Sequence, residues 1–400
     1  MLTISLYLLM FAYAVSCTML GPLLPAIRAE YGLTLSQAGL MTTFQGVGGS
    51  ASVLGGILVA DLLRRSASVR ATFTVYGASV FAVVLLPWYP ALVALFFLIG
   101  ASTRLMESFV NVYVADLHLR HRGFYLGLLH ACFGLGALLG PSISALVIQR
   151  HLPWSTVFVE LAVFCLLALA FFVFAERKAG GDIGMPRTRP RARSGSGPVA
   201  LLKGLAPMRS RAALILCSLT FLYVGFANGL SVWIPSYMSE RFAVSPVQAS
   251  VPVSGLWIGI IGGRVVSSFL SRRFEGTKLL LLSNVVAAIV VLVAFTVDNY
   301  LSLTVGLLVA GLFVGSTNPM AYALLNERFP EHRASASSAL TFAGTLGLMI
   351  VPWLVGMVAE RAGFWLGLLV LGLCPCGLAG LSGVLAFSRQ NPPPELRPSV

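Results

Sequence analysis

Apolar stretches of about twenty residues recur along the whole chain, and this recurrence constrains the fold more than any other feature. An α-helix rises about 1.5 Å per residue, so each stretch is long enough to cross the roughly 30 Å hydrocarbon core of a bilayer. Only 10% of the 400 residues are charged and the mean hydropathy is +0.88, which excludes a water-soluble globular protein. The pattern therefore predicts an all-α integral membrane protein.

Twelve apolar stretches can be delimited, and polar, glycine-rich or proline-rich segments separate them. A backbone that crosses hydrocarbon must satisfy its hydrogen bonds internally, so each stretch is predicted to be a helix. The predicted spans, numbered one to twelve, are 3–27, 36–62, 70–88, 90–116, 124–148, 154–175, 211–238, 245–270, 279–297, 300–326, 334–359 and 363–388. No basic segment precedes the first span, which is long enough to remain as an anchor, so we expect no cleaved signal peptide.

The positive charge is distributed unevenly about these spans. The chain has a net charge of +13, a balance that nucleic-acid-binding proteins also show. With the N-terminus on the cytoplasmic side, 21 of the 27 basic residues fall in cytoplasmic segments, 4 fall in outer loops, and Arg104 and Arg264 lie within spans. The positive-inside rule therefore predicts a multi-pass protein of the cell (inner) membrane with both termini in the cytoplasm. The lipid bilayer accounts for the charge, and no nucleic-acid partner is expected.

A segment rich in Arg, Gly, Pro and Ser divides the chain into two halves of six spans each. It has too few apolar residues to form a core, which indicates a cytoplasmic linker. The halves share short echoes: "GGILVADLLRR" (55–65) precedes "GGRVVSSFLSRR" (262–273) by 207 to 208 residues, and Pro141 in the fifth span corresponds to Pro352 in the eleventh. The predicted organisation is an N-terminal six-helix bundle (1–175), the linker (176–210), a C-terminal six-helix bundle (211–390) and a cytoplasmic tail (391–400).

All six cysteines lie within apolar spans, where a thiol most often serves as a small hydrophobic side chain. They are Cys17, Cys132, Cys165, Cys217, Cys374 and Cys376. We therefore expect no disulfide and no metal site. The loops contain no His-rich cluster, nucleophile elbow or phosphate-binding loop, so the sequence predicts neither an enzymatic activity nor a cofactor.

Short basic segments follow the second and eighth spans. The first contains Asp61, Arg64 and Arg65, and the second contains Arg272 and Arg273 without an acid. Together with the six-span repeat, these segments resemble the major facilitator superfamily, whose motif at this place reads Gly-x-x-x-Asp-Arg-x-Gly-Arg-Arg. The resemblance implies twelve transmembrane helices in two pseudo-symmetric six-helix bundles, a substrate site at mid-membrane between the halves, and transport by alternating access. It also implies a gating role for these five residues and a functional monomer.

Several stretches resemble the fucose permease family of sugar–proton symporters more specifically. They are "GPLLPAI" (21–27), "MESFVNVYV" (106–114), "LLHACFGLGALLGP" (128–141), "FLYVGFANGLSVWIPSY" (221–237) and "GRVVSSFLSRRF" (263–274). The resemblance implies symport of a monosaccharide driven by a proton gradient, and the shared Gly-Arg gives Arg264 a gating role. Two positions depart from the family, because Gly21 replaces an Asp and Arg104 replaces a small residue.

An acid and a base lie inside the fourth span. Glu107 is nine residues from the predicted cytoplasmic end, which places it about 13 Å deep, and Arg104 is one turn deeper. A spacing of three residues puts both side chains on one helix face, where they can pair. The resemblance favours Glu107 as the group that binds the coupling proton, with Arg104 as its partner. The alternative is a permanent ion pair that only holds the helix against a neighbour.

Polar and aromatic side chains in several spans are candidates for binding a sugar, which presents both hydroxyls and apolar C–H faces. An amide offers a donor and an acceptor, and a histidine can in addition relay a proton. His130 is a candidate for both roles, and a neutral packed histidine is the alternative. The predicted substrate-binding residues are Asn111, His130, Asn228, Trp233, Asn318, Tyr322, Tyr13 and Gln45.

Two other transport functions remain open. Gly127, Gly136, Gly140 and Pro141 match much of the antiporter motif of the superfamily, which favours efflux of a drug or metabolite. An arginine presents a fixed fork of donors to a carboxylate, so Arg104 could instead serve a carrier of small organic anions. The second intramembrane arginine, Arg264, would suit the same substrate, but it is predicted to lie too shallow to share a cavity with Arg104.

Overall fold

In the computed structural model, the described residues are 1–59, 65–86, 88–120, 122–180, 210–271, 273–297, 299–329 and 333–388. They form fourteen helices: α1 (Leu2–Thr18), α2 (Leu20–Tyr31), α3 (Leu35–Val59), α4 (Arg65–Leu85), α5 (Tyr89–Leu117), α6 (Arg122–Gln149), α7 (Ser155–Lys178), α8 (Arg211–Phe242), α9 (Pro246–Leu270), α10 (Gly276–Val297), α11 (Tyr300–Val314), α12 (Thr317–Arg328), α13 (Arg333–Ala362) and α14 (Phe364–Ser388). The prediction of an all-α protein is confirmed.

The fourteen helices occupy the twelve predicted spans, because two spans are each broken once. Proline cannot donate its backbone nitrogen and clashes with the carbonyl four residues earlier. In a continuous helix Pro22 would clash with the carbonyl of Thr18, and α1 ends at Thr18. The next helix, α2, makes an angle of 49° with α1. Pro319 acts in the same way on Gly315, which lies between α11 and α12.

By length and composition, ten helices of the described chain can cross a membrane, and the bent pair α1–α2 raises this number to eleven. The helix α3 has 25 residues and stands in the place of the second predicted span, with Gly, Ser and Thr residues among its apolar side chains. The chain therefore has the twelve-helix architecture of an integral membrane protein.

Glycines build the crossing of α3 with α5. A Cβ atom on Gly48 would collide with the backbone carbonyl of Phe97, and a Cβ atom on Gly100 would collide with that of Gln45. Small residues at such positions let helix backbones approach closely, which is how helices associate in lipid. This crossing fixes the face of α5 that carries Arg104 and Glu107.

The crossing of α9 with α11 has the same construction in the second half. Gly259 lies over the carbonyl of Leu308, and Gly311 lies over that of Leu256. Each of these four residues follows its counterpart in the α3–α5 crossing by 211 residues. The internal packing of the two halves therefore repeats, as expected for pseudo-symmetric bundles.

Helix boundaries follow the same register. The helix α9 begins and ends 211 residues after α3, and the pair α11–α12 begins and ends 211 residues after α5. Pro141 and Pro352 are also separated by 211 residues. The register of 207 to 208 read from the segments 55–65 and 262–273 is therefore wrong as a structural alignment, because glycine pairs recur often enough to match out of place.

By packing, the chain divides into two units. In its described part, the first unit combines α1 to α7 with residues Asn228–Ser254 and Leu348–Gly367, and the second contains the remaining parts of α8, α9 and α13 with α10, α11, α12 and α14. The ends of α8 and α13 thus pack with the first six spans. The predicted linker 176–210 begins within the last residues of α7, and most of it lies outside the described residues.

Within the first unit, one end of the bundle is closed by contacts of α2 and α3 with α8 and α13. The backbone N–H of Ser36, in the first turn of α3, donates to Glu360 Oε2 at 3.0 Å. Gly39 approaches the backbone of Trp353, and a Cβ atom there would lie 3.1 Å from Trp353 Cα. We call this set of contacts the closed end. A charged pair, Arg28 and Glu240, adds a 3.7 Å contact near the surface.

The residues predicted to act in gating lie mostly at the edge of the described chain. Asp61, Arg64 and Arg272 fall outside the described residues, and Arg65 begins α4 with a side chain that is not described. Arg273 is exposed beyond the end of α9. Their gating role stays a prediction.

Candidate functional site

The acid and base of the fourth span are paired on α5. Arg104 Nη1 donates to Glu107 Oε2 at 2.9 Å, one helical turn apart. The side chains are 20% and 23% exposed, so the pair is neither fully buried nor free in solvent. The predicted pairing is confirmed, and the role of the pair in proton coupling stays a prediction.

Helices α1 and α3 complete the surroundings of Arg104. Tyr13 of α1 is 4% exposed and lies close enough to Arg104 to interact with it electrostatically. Cys17 follows Tyr13 by one turn and shares a hydrogen bond with it. On the α3 side, a Cβ atom on Gly49 would lie 2.8 Å from Arg104 Cγ, so only glycine leaves room for the arginine stem.

Asn111 lies one turn beyond Glu107 on α5. Its Nδ2 donates to the backbone carbonyl of Glu107 at 2.8 Å, which holds the amide parallel to the helix and leaves the Oδ1 atom as an acceptor. Gln45 is half-buried on α3 and supplies the carbonyl over which Gly100 packs. Both residues lie on helices that meet at the glycine crossing, one or two turns from the ion pair.

His130 is exposed on α6 and does not share the exposed apolar face of that helix. Leu128, Leu135 and Leu139 are each at least 40% exposed and line one side of α6, as expected of a lipid-facing surface. At 100° per residue, His130 lies about 200° around the helix from Leu128. Phe133, one turn further along, contacts the ring of Tyr13 edge-on at 5.4 Å. The geometry therefore directs His130 away from the lipid-facing leucines.

Trp233 is fully buried and packs as a core residue. Its exposed fraction is 0%, and its Nε1 donates to the carbonyl of Pro352 at 2.8 Å. The ring of Phe364 meets it edge-on at 5.9 Å. With its indole N–H already bonded and no exposed face, Trp233 joins α8 to α13 at the closed end rather than offering a platform to a sugar. Asn228, on the same helix, is half-buried.

In the second unit, α12 repeats the polar pattern of α5. Asn318 and Tyr322 follow Glu107 and Asn111 by the same 211 residues that relate the glycine crossings. Asn318 Oδ1 is buried and has no hydrogen-bond partner within the described residues, and the Tyr322 hydroxyl lies 2.8 Å from Thr341 Oγ1. The sequence singled out these two residues without indicating that they are the counterparts of the α5 pair.

A network of buried polar side chains supports α12, and the sequence analysis missed it. Asn284 of α10 donates to Ser382 Oγ at 2.9 Å and accepts from Thr317 Oγ1 at 2.8 Å. Asn284, Thr317 and Ser382 are each 0% exposed. Because every member is bonded, the network fixes Thr317 and therefore the start of the helix that carries Asn318.

Arg264 of α9 has a different environment from Arg104. Its Nη2 donates to the hydroxyl of Tyr223 at 3.1 Å, and its Nε is buried without an acceptor among the residues described. The described residues contain no carboxylate that pairs with it, whereas Arg104 has Glu107. The bond to Tyr223 was not foreseen from the sequence.

Comparison with known proteins identifies the architecture. The family model described as Major Facilitator Superfamily matches residues 6–283 and 216–400. The chain belongs to the major facilitator superfamily. It is a multi-pass membrane transporter and not an enzyme, as the sequence predicted.

Relatives in this superfamily carry different solutes. The chain is 24% identical over 394 residues to the glucose/mannose transporter GlcP of Bacillus subtilis (strain 168), a match that covers 94% of this chain and 92% of GlcP. It is also 24% identical over 364 residues to the cis,cis-muconate transport protein of Acinetobacter baylyi, with coverage of 87% and 85%. The specific resemblance to the fucose permease family stays a prediction.

Solved structures of the major facilitator superfamily share the fold. The nucleoside transporter NupG aligns with a TM-score of 0.74 at 16% identity, covering 97% of this chain and 98% of NupG. The D-xylose-proton symporter aligns with a TM-score of 0.74 at 15% identity, covering 96% of each chain. At these identities the likeness establishes the fold alone.

Proposed function

We propose that this transporter moves a small polar solute, a monosaccharide, together with a proton across the cell membrane, working as a monomer with both termini in the cytoplasm. The observation that carries the proposal is the Arg104–Glu107 pair on the membrane-spanning helix α5. An ionisable residue within a membrane helix is costly and normally serves a function. The name of the relative GlcP, a glucose/mannose transporter, supports the choice of sugar.

In the proposed cycle, Glu107 takes up and releases the coupling proton. Protonation removes the charge from Glu107 and so weakens its bond to Arg104. The guanidinium stays charged and then needs another acceptor, and the neighbouring Tyr13 hydroxyl can provide one. A proton on Glu107 would thus change which groups Arg104 joins among α1, α3 and α5. The proton gradient supplies the energy, and no cofactor is needed.

Hydroxyl recognition is proposed to use polar side chains of the membrane-spanning helices. Asn111 retains a free Oδ1 acceptor after bonding the α5 backbone, and Gln45 and His130 each offer a donor and an acceptor. In the second unit, the unpaired Oδ1 of Asn318 can accept from a sugar hydroxyl, and Tyr322 lies one turn from it. Asn228 is a further candidate on α8. Trp233 is left out because it is fully buried.

The two alternatives draw less support. Gly136 and Gly140 of the antiporter-like pattern lie against the α1 carbonyls of Phe11 and Val15, so close helix packing already accounts for them. An organic anion at Arg104 would have to displace Glu107 from a 2.9 Å bond. Therefore no feature of the described residues specifically supports efflux. Anion binding at Arg104 requires the bond between Arg104 and Glu107 to break first.

Transport in proteoliposomes tests the proposal. A panel of labelled monosaccharides is offered with and without an inward proton gradient to the wild type and to Glu107→Gln. We expect the wild type to accumulate a sugar only with the gradient, and Glu107→Gln to exchange it without accumulating it. The matched control is Glu160→Gln, which removes an exposed glutamate on α7. Gradient-driven accumulation by Glu107→Gln at the wild-type level would refute the coupling role.

A further inference from the structure

Arg264 is a guanidinium within a membrane-spanning helix that lacks an acid partner in the described part of the chain. One N–H group of its side chain donates to Tyr223, and the buried Nε donates to nothing described. A charged side chain at such a place costs at least a few kcal/mol unless a partner or a water-filled cavity compensates it. Within the described residues, Arg104 has such a partner and Arg264 has none.

The guanidinium of Arg264 reaches deeper than its sequence position suggested. Arg264 lies six residues before the end of α9, which is about 9 Å by helix rise. Tyr223 lies twelve residues after the start of α8, about 18 Å along that helix. A helical side chain leans towards the N-terminus of its own helix, which for α9 is the opposite face. The bond to Tyr223 therefore places the charge within the second unit, and the expectation that Arg264 is too shallow to share a cavity with Arg104 stays a prediction.

The hydroxyl of Tyr223 strengthens this position as a site for an anion. Tyr223 is 4% exposed and accepts a hydrogen bond from Arg264, so its own proton remains available for donation. Arg264 and Tyr223 together can therefore direct an O–H and several N–H groups at one acceptor. Carboxylates match such a fork, and bonds between charged partners are the strong ones.

The surroundings of Arg264 differ from those of Arg104 in one respect. In the first half, Tyr13 neighbours Arg104, and Glu107 neutralises the arginine. In the second half, Tyr223 is one residue out of the 211-residue register with Tyr13 but also neighbours an intramembrane arginine, and no acid among the described residues pairs with that arginine. Each half therefore joins a tyrosine of its first span to an intramembrane arginine, and among the described residues Arg104 has a built-in counter-ion whereas Arg264 has none.

We propose that Arg264 and Tyr223 bind the carboxylate of the transported solute, so that the substrate is a sugar acid, such as an aldonate or uronate, rather than a neutral sugar. This inference rests on the proposed function, because it names the class of monosaccharide. Asn318 Oδ1, in the same unit, has no hydrogen-bond partner among the described residues and provides an acceptor for a hydroxyl of such a solute.

Binding by the wild type gives the first test, and it needs no variant. Gluconate, glucuronate, glucose, chloride and phosphate are compared for their effect on the thermal unfolding of the purified transporter. We expect stabilisation by the two sugar acids at concentrations about ten- to a hundredfold below those needed for glucose, as one charge-assisted contact would give. Equal stabilisation by chloride or phosphate would mean an inorganic anion site and overturn the inference.

Variants give the second test. Arg264→Gln and Tyr223→Phe are expected to raise the concentration of gluconate needed for half-maximal uptake, by about ten- to a hundredfold for the arginine, and to remove the preference for gluconate over glucose in the binding test. Arg211→Gln, which removes an exposed arginine at the start of α8, is the control and should match the wild type. Unchanged gluconate uptake by Arg264→Gln would overturn the inference.

The two proposals fail in different ways. If neutral sugars accumulate with the proton gradient and sugar acids neither bind nor move, the inference about Arg264 is wrong and the proposed symport stands. If sugar acids bind and depend on Arg264 but Glu107→Gln still accumulates them with the gradient, proton coupling through Glu107 is wrong and the carboxylate site stands.

Discussion

Arg104 and Glu107 are joined by a 2.9 Å hydrogen bond across one turn of α5, with about a fifth of each side chain exposed. Removing one partner of a largely buried pair leaves an uncompensated charge, whereas removing both leaves none. Comparing the free energies of unfolding of the single and double variants therefore measures how much this bond stabilises the fold.

We expect Arg104→Met to lower the free energy of unfolding by about 2–3 kcal/mol, because Glu107 loses its counter-ion inside the bundle. The double variant Arg104→Met, Glu107→Gln should recover at least half of this loss. Thermal unfolding of the detergent-purified proteins provides the measurement. A double variant that is less stable than Arg104→Met would show that the two side chains are stabilised independently.

The paired glycine crossings predict equal sensitivity in the two halves. Gly48→Val and Gly259→Val each place a side chain against a backbone carbonyl of the facing helix, so either variant should lose about 1–3 kcal/mol of stability. Gly380→Val on α14 is the control, because no atom lies within 4 Å of a Cβ placed there. Thermal unfolding in detergent checks all three. A tolerant Gly259 beside a sensitive Gly48 would contradict the repeat.

The sequence predicted the features that depend on local spacing. Hydrophobic stretches gave the helices because membrane insertion depends mainly on length and composition. The pairing of Arg104 with Glu107 could be predicted because residues three apart lie on the same face of a helix, whatever that helix packs against. Tyr223 and Arg264 are 41 residues apart on different helices. Their bond depends on how α8 packs against α9, which no short pattern records.

Sugar binding was predicted for Trp233 from its residue type, and the surroundings of the side chain exclude that role. An aromatic side chain among amides suits a sugar, but it also suits the interior of a helix bundle. Because Gly39 and Gly356 have no side chain, they leave space on α3 and α13 that the indole of Trp233 fills. Only the structure shows which aromatic ring uses this space.

The closed end predicts that Gly39 controls which end of the transporter opens. A Cβ atom on Gly39 would meet the backbone of Trp353 at 3.1 Å, and backbone cannot move aside as a flexible side chain can. Gly39→Val should therefore destabilise the closed end and favour a conformation in which α3 and α13 separate. Thr43, which donates to the carbonyl of Met349 at 2.9 Å, lies along the same contact.

Labelling of a cysteine at position 43 measures this opening. In a background whose six native cysteines are replaced by serine, Thr43→Cys should react faster with a membrane-impermeant maleimide when Gly39→Val is present. Gly127→Val serves as the control, since nothing lies within 4 Å of a Cβ at that position. Equal labelling rates with Gly39→Val and Gly127→Val would show that the contact does not hold the end shut.

Stability should depend on pH through His118, which lies just beyond the end of α5. Its ring stacks on Tyr125 at 3.4 Å, and its Nε2 lies 2.9 Å from Thr3 Oγ1. Burial lowers the pKa of His118 below its ordinary value of 6.5. As the pH falls through 6.5, the unfolded chain therefore gains a proton that the folded chain resists, and stability declines until the pH passes the folded value.

Because this ring is only half-buried, we expect a small effect that His118→Asn removes. The variant keeps a hydrogen-bonding side chain but cannot titrate, so its unfolding temperature should fall less than that of the wild type between pH 7.5 and pH 5.5. His151→Asn is the control, since His151 is exposed in the loop after α6 at a φ of 56°, a conformation that asparagine tolerates. If His118→Asn and the wild type lose stability equally on acidification, the proton is taken up elsewhere, and the stacked histidine does not sense pH.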